Sequence, residues 1–308
     1  MSNLFIIGNG FDISHGLPTS YRDFRDYLVT NYPKARYEAT IVPEGKPTPD
    51  GDFYFDKDEV VGFVIYIIDQ VEGEDWKDLE EALGHLDFAD YFDNFAQDYD
   101  EYSDYEWKEV ANNEDLANSF VIPTSKIKEL FSEWINTIDL DVTYKKKDLT
   151  ILFEDETQVL SFNYTKTIEQ VYGIEDVCHI HGIQGEELFF GHGDKTERSE
   201  EYMQKYIGAE SALSDIDKQL EKDTETALYD NQPFFAELSG KNIKKMYSYG
   251  FSFSKVDEIY LEEIFTYVDT KNIVWYFNDY DSEEKIKKYE NKLKNLGFKG
   301  RFSTFHVD

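Results

Sequence analysis

The chain opens on an unbroken apolar run, Leu4 to Ile7, that stops at Gly8. A run of that length bounded by glycine predicts a strand buried on both faces. After Pro18-Thr19-Ser20 the positions Tyr21, Phe24, Tyr27 and Leu28 recur at three- and four-residue steps, the spacing of one helix face. A loop rich in Pro and Gly covers 33–51, and a mainly helical stretch then runs to about residue 139. Within it, Val60 to Ile68 is too short to cross a membrane and predicts a buried element. Ile127, Leu130, Phe131, Trp134, Ile135 and Ile138 form a single apolar helical stripe.

From Thr157 the pattern changes to short strands alternating with helices, which argues for a parallel sheet. The spacing predicts a strand ending near Asn163, a helix over 166–172, a strand over 177–180 and a short strand over 188–190. A helical, polar arm over 200–238 follows. Strand 244–249, helix 256–267, strand 273–277, helix 282–296 and a last strand near 301–306 complete the chain. The fold expected is α/β: a Rossmann-like, mainly parallel sheet with helical insertions. Its core comprises 1–32 and 150–308, with 33–149 as a helical insertion and 200–238 as an arm within the core.

The chain has 308 residues, 41% of them hydrophobic and 17% aromatic, enough to fill a large core. Thirty-one Lys and Arg stand against 64 Asp and Glu, a formal charge of -33. Such a balance repels a phosphate backbone unless one face gathers the few cations, so nucleic acid is not the expected partner. The acidic stretch from Asp87 to Asp104 reads as a solvated helical face. Cys178 is the only cysteine, which excludes an intrachain disulfide and fits the reducing cytoplasm. The opening residues lack a basic leader, and no membrane association is expected.

Ligands of an open parallel sheet sit beyond the carboxyl ends of its strands. The predicted strands deliver Gly8-Asn9-Gly10-Phe11-Asp12, then Asn163-Tyr164-Thr165, then His179-Ile180-His181-Gly182, and later Tyr249-Gly250-Phe251-Ser252 to one rim. Gly8 and Gly10 suit a close approach of backbone to phosphate, although the full dinucleotide fingerprint is incomplete. Asp12 suits ribose hydroxyls or a local cap. His179 faces the same side as His181, as a supporting or merely packed ring. His192, in a Gly-His-Gly loop, is free to face a ligand or is incidental. Asp257 reads as a cap or brace for the next helix. His179, His181, His192 and Asp194 offer an alternative metal set, which a metal-dependent nuclease would use.

The blocks GNGFDISHGLPTSYRDF, WKDLEEAL at 76–83, SFNYTKTIE, CHIHG, FGHGD and YGFSFSKVD at 249–257 resemble the AbiH family of phage abortive-infection proteins. More distantly, the glycine turn, the Asn-Tyr and the His-x-His-Gly resemble the sirtuin-like superfamily. That resemblance implies an NAD pocket, with Asn163 positioning ribose and water and His181 as the catalytic histidine. It implies Gly8, Asn9, Gly10, Phe11, Asp12, Tyr164, His192, Gly250 and Ser252 as ligand-binding positions. Thr165 departs from the pattern, which often carries Asp there. The function implied is a phage-defence effector that hydrolyses NAD once a phage-derived trigger appears. A silent nucleotide sensor is the alternative, and a homo-oligomer is left open.

Overall fold

The computed structural model describes residues 2–51, 53–95, 105–141, 144–153 and 156–308. Its strands are β1 (Ser2–Ile7), the two-residue β2 (Lys46–Pro47) and β3 (Phe53–Tyr54), β4 (Glu156–Ser161), β5 (Val177–His179), β6 (Ile243–Tyr249), β7 (Val274–Asn278) and β8 (Arg301–Phe305). Six of them form one sheet in the order β5-β4-β1-β6-β7-β8, and every pairing in it is parallel. Numbered along the chain within that sheet, the order is 3-2-1-4-5-6, that of a Rossmann-like fold. β2 and β3 form a separate antiparallel pair.

Two compact units divide the chain: residues 1–19, 135–189 and 223–308 in one, 20–134 and 190–222 in the other. The boundary therefore falls before the helix Tyr21–Asn31 and cuts the 200–238 arm at Lys222, unlike the division expected from the sequence.

The first unit holds the large sheet. Leu4, Ile6, Met246, Trp275 and Phe277 point to one face, under Tyr260, Leu261 and Ile264 of helix Glu258–Tyr267 and Tyr289 and Leu293 of helix Glu283–Asn295. Phe5, Ile7, Val159, Tyr247 and Tyr249 point to the other, with Phe11, Leu149 and Ile168. Burial of β1 on both faces explains its unbroken apolar run. The expected strand over 188–190 is not formed. Phe189 donates to the His181 carbonyl at 2.9 Å, but the segment joins no ladder.

The second unit is helical. Val60 to Ile68 lies in helix Lys57–Glu72 with all but Tyr66 buried. Phe24 packs on Trp134 at 5.2 Å and Phe131 on Phe190 at 3.8 Å, both stacked. Arg25 donates two hydrogen bonds to Asp69, which also accepts from the Trp76 indole. Asp87, Asp90 and Asp93 are exposed as expected, while Tyr91 and Phe92 turn inward; residues 96–104 of the acidic stretch lie outside the described residues. Among the described residues no helix is long and apolar enough to cross a membrane.

Candidate functional site

At the carboxyl end of β1 the chain does not loop. A short helix, Asn9–Ser14, begins directly after Gly8. Gly8 N–H donates to the Tyr249 carbonyl at 3.1 Å, Gly10 N–H to the Gly250 carbonyl at 3.0 Å, and Phe11 N–H to the Gly8 carbonyl at 2.8 Å. A Cβ on Gly8 would stand 2.7 Å from the Gly250 oxygen, and one on Gly10 2.6 Å from the Gly250 Cα. Gly250 itself has φ +63°. These glycines thus let the segments after β1 and β6 touch backbone to backbone. Gly8 and Gly10, expected to bring backbone close to a phosphate, bring it close to another backbone instead, and the amides of Gly8, Gly10 and Phe11 are engaged within the chain.

The same helix aims its side chains inward. Phe11 is fully buried against His15 and Tyr249, and so belongs to the core. Asn9 donates to the Thr19 carbonyl at 2.7 Å. Ser252, after β6, is exposed. His15 donates from Nδ1 to the Phe11 carbonyl, leaving Nε2 to accept from the Tyr172 hydroxyl, both at 2.7 Å. Burial holds the His15 pKa below its ordinary value.

Asp12 occupies the center of a buried polar group. Only 1% of its surface is exposed, and Oδ2 accepts from the Thr165 hydroxyl at 2.6 Å, which lies 2.8 Å from the Thr167 hydroxyl. Burial pushes the Asp12 carboxyl up to about 6, against the lowering effect of Thr165, Thr167, Asn163 and the nearby His179. Asn163, 3% exposed, reaches close enough to Asp12 to take part in that lowering. Yet neither of its amide atoms, nor Oδ1 of Asp12, makes a hydrogen bond of ordinary geometry among the described residues. His179 faces the Asn163 carbonyl through Nδ1 at 3.2 Å and Glu169 through Nε2 at 2.7 Å, so its ring braces the β4 end.

His181 lies one turn beyond β5 and is 3% exposed. Its Nε2 stands 3.4 Å from Oδ1 of Asp257, whose other oxygen accepts from the Ser254 hydroxyl at 2.7 Å. The rings of Phe162 and Tyr260 meet it edge-on at 5.3 and 5.6 Å, with Tyr164 at 6.2 Å. Tyr164 is half-buried and donates from its hydroxyl to the Phe189 carbonyl. Asp257 makes no side-chain cap on its helix and faces the imidazole instead. A carboxylate in contact with a buried imidazole can orient the ring and hold or share its proton.

His192 belongs to the second unit. There it is 2% exposed, donating from Nε2 to the Asp217 carbonyl at 2.8 Å and accepting on Nδ1 from the Asp194 amide. A β-carbon on Gly84 would stand 3.1 Å from its ring, so this histidine is a packed strut. Among the described residues no three His, Cys, Asp or Glu side chains gather as metal ligands.

Sequence reading placed Asn163 and the two histidines at strand ends but passed over Thr167, Glu169, Ser254 and Tyr260. Thr167 and Glu169 carried one usable signal: they lie on the first turn of the helix after β4, two and four residues beyond Thr165 in the same block.

Comparison with known proteins finds no match among curated proteins or among solved structures. The family model for bacteriophage abortive infection AbiH, however, matches residues 4–279, from β1 past the end of β7. A match over that much of the chain embraces both compact units, and the chain belongs to the AbiH family of bacteriophage abortive infection.

Proposed function

We propose that this chain is an abortive-infection effector that binds NAD at the carboxyl ends of β1, β4 and β5 and hydrolyses it to nicotinamide and ADP-ribose in the cytoplasm. The observation that carries this reading is the buried group of Asp12, Asn163 and Thr165, with Oδ1 of Asp12 and both Asn163 amide atoms unsatisfied among the described residues. Each buried orphan of this kind costs about 1–3 kcal/mol. Asp12 and Asn163 are close enough to offset part of that cost on each other, and the polar atoms left over at a strand rim fit ligand hydroxyls or a water better than a packing role.

Cleavage breaks the bond between ribose C1′ and the nicotinamide ring nitrogen. The bonding pair leaves with the ring and cancels its positive charge, so no acid is needed at the leaving group. Water oxygen then bonds to C1′ and gives up a proton. In this reading Asn163 orients the ribose and the water, and His181, backed by Asp257, takes the proton. Thr165 stands where the sirtuin-like pattern often has Asp, but its hydroxyl holds Asp12 at 2.6 Å, so in this reading a carboxylate is supplied from the helix after β1 instead. That charge opposes the positive charge developing on the ribose.

His181 is shut in by rings, so the reading includes a trigger that opens the cage of Phe162, Tyr164 and Tyr260. The closed rim also favours a second reading, a sensor that binds the nucleotide without turnover. In phage-challenged cells, the effector reading expects nicotinamide release and a fall in NAD with the natural chain, and neither with Asn163→Ala or His181→Ala at equal folded abundance. Growth arrest with undiminished NAD would refute hydrolysis. Calorimetric binding of NAD without nicotinamide release under the same challenge would establish the sensor.

A further inference from the structure

The -33 charge argues against a phosphate backbone unless cations gather on one face, and one region of the first unit meets that condition. Residues 241–301 hold 12 Lys and Arg against 10 Asp and Glu, where the whole chain holds 31 against 64. Several of these cations are spent on neighbouring acids, as Lys292 is on Glu258. Lys245, Lys271, Lys299 and Arg301 make no ion pair among the described residues, and all four lie at the amino ends of β6, β7 and β8. Lys299 N–H donates to the Thr270 hydroxyl at 2.9 Å, which brings the turns before β7 and β8 together. One acid lies among them: Asp269 accepts from the backbone N–H of Lys271.

The sheet itself supplies the second half of a recognition surface. In register, Lys245, Val274 and Arg301 form one row across β6, β7 and β8, with side chains on one face. The next row on that face is Tyr247, Tyr276 and Ser303. Phe5 on β1 stacks on Tyr247 at 4.5 Å and 9°, and Tyr247 stacks on Tyr276 at 4.9 Å and 15°. Three rings therefore stand as a stack across adjacent strands. The following position in the row is Ser303, small and exposed, while Phe305, two residues further along β8, meets Tyr247 edge-on at 5.3 Å, so the β8 residue directly beside the half-buried Tyr276 ring leaves room over it.

We infer that this surface binds single-stranded nucleic acid. An unpaired base continues the Phe5–Tyr247–Tyr276 stack above Ser303, and Lys245 and Arg301 in the row beneath take the adjoining phosphates, with Lys271 and Lys299 extending the track. An aromatic platform flanked by cations is what sequence-tolerant strand binding requires. Phosphate contacts without a base platform would give salt-sensitive binding alone. The surface lies at the strand ends opposite to the Asp12 and His181 site, so the two can fail independently.

The test is fluorescence anisotropy of a fluorescein-labelled oligouridylate, titrated with the full chain at increasing salt. Binding should weaken with salt, and Arg301→Glu should weaken it about tenfold and flatten the log–log salt slope by about one. Arg301→Lys should restore most of the loss. Tyr276→Leu keeps apolar bulk in the stack and should also weaken binding about tenfold. All three variants should leave NAD binding unchanged. The inference is overturned by absence of oligonucleotide binding at low salt, by an Arg301→Glu titration that overlays the natural one, or by uridine monophosphate displacing the oligomer equally well per nucleotide.

Discussion

Replacing Asp12 by Asn should reveal what the buried carboxyl costs the fold. Asparagine keeps the shape and an oxygen acceptor for the Thr165 hydroxyl but has no charge to bury. In the natural chain the carboxyl rises from its ordinary 3.8 to about 6, chiefly because burial penalises the ionised form. A rise of that size corresponds to about 3 kcal/mol of differential interaction. Between the two values the folded state binds more protons than the unfolded state, so the natural chain loses stability as pH climbs through that window and levels off above it. Urea unfolding of both proteins from about pH 4 to pH 8 should show curves that nearly meet at the acid end and separate by up to about 3 kcal/mol near neutrality, with the Asn variant the more stable. Other titrating groups are common to both chains and cancel in the difference. Two curves that run parallel would refute the assignment. On the proposed chemistry the stabilised variant is also inactive, which would make Asp12 a case of stability surrendered for function.

Further outcomes follow from other parts of the molecule. Gly250→Ala forces a side chain into φ +63° and against the Phe11 amide, and should lower stability by about 2–4 kcal/mol, read as a fall in melting temperature; an unchanged melt would mean that the ends of β1 and β6 do not touch. Lys222 is 1% exposed in its side chain and pairs with Glu80 at 2.8 Å. Glu80→Leu alone strands a buried charge and should destabilise by about 3–5 kcal/mol, whereas Glu80→Leu with Lys222→Met should recover most of the loss in chemical denaturation; equal losses in the single and double variants would contradict the pairing.

Much of the sheet was legible because its signals are local. The apolar run of β1, the alternation after Thr157 and the residues at strand ends all survive into the structure within a residue or two. What failed depends on direction and partnership. The Gly8-Asn9-Gly10 segment looks like an open turn, yet the chain enters a helix at Asn9, which turns Phe11 into the core and Asp12 into the polar group. Leu188 to Phe190 has strand composition, but its backbone bond from Phe189 goes to the His181 carbonyl beyond the end of β5, and no ladder forms. His192, between two glycines, reads as free to face a ligand or incidental, but Gly191 serves close packing: a Cβ there would strike the Leu220 carbonyl. The role of Asp257 was invisible because its partner, His181, lies 76 residues earlier. No periodicity reports a contact of that span.

The central position of β1 also has a bearing on biosynthesis. Its two flanking partners begin at residues 156 and 243, so β1 is synthesised long before both of its neighbours exist. At roughly 5–20 residues per second, that wait lasts on the order of 10–50 s, during which an apolar ribbon must be shielded by chaperones. A polypeptide cut short before β6 lacks one wall of its central strand and leaves that edge of β1 open to pairing with another chain.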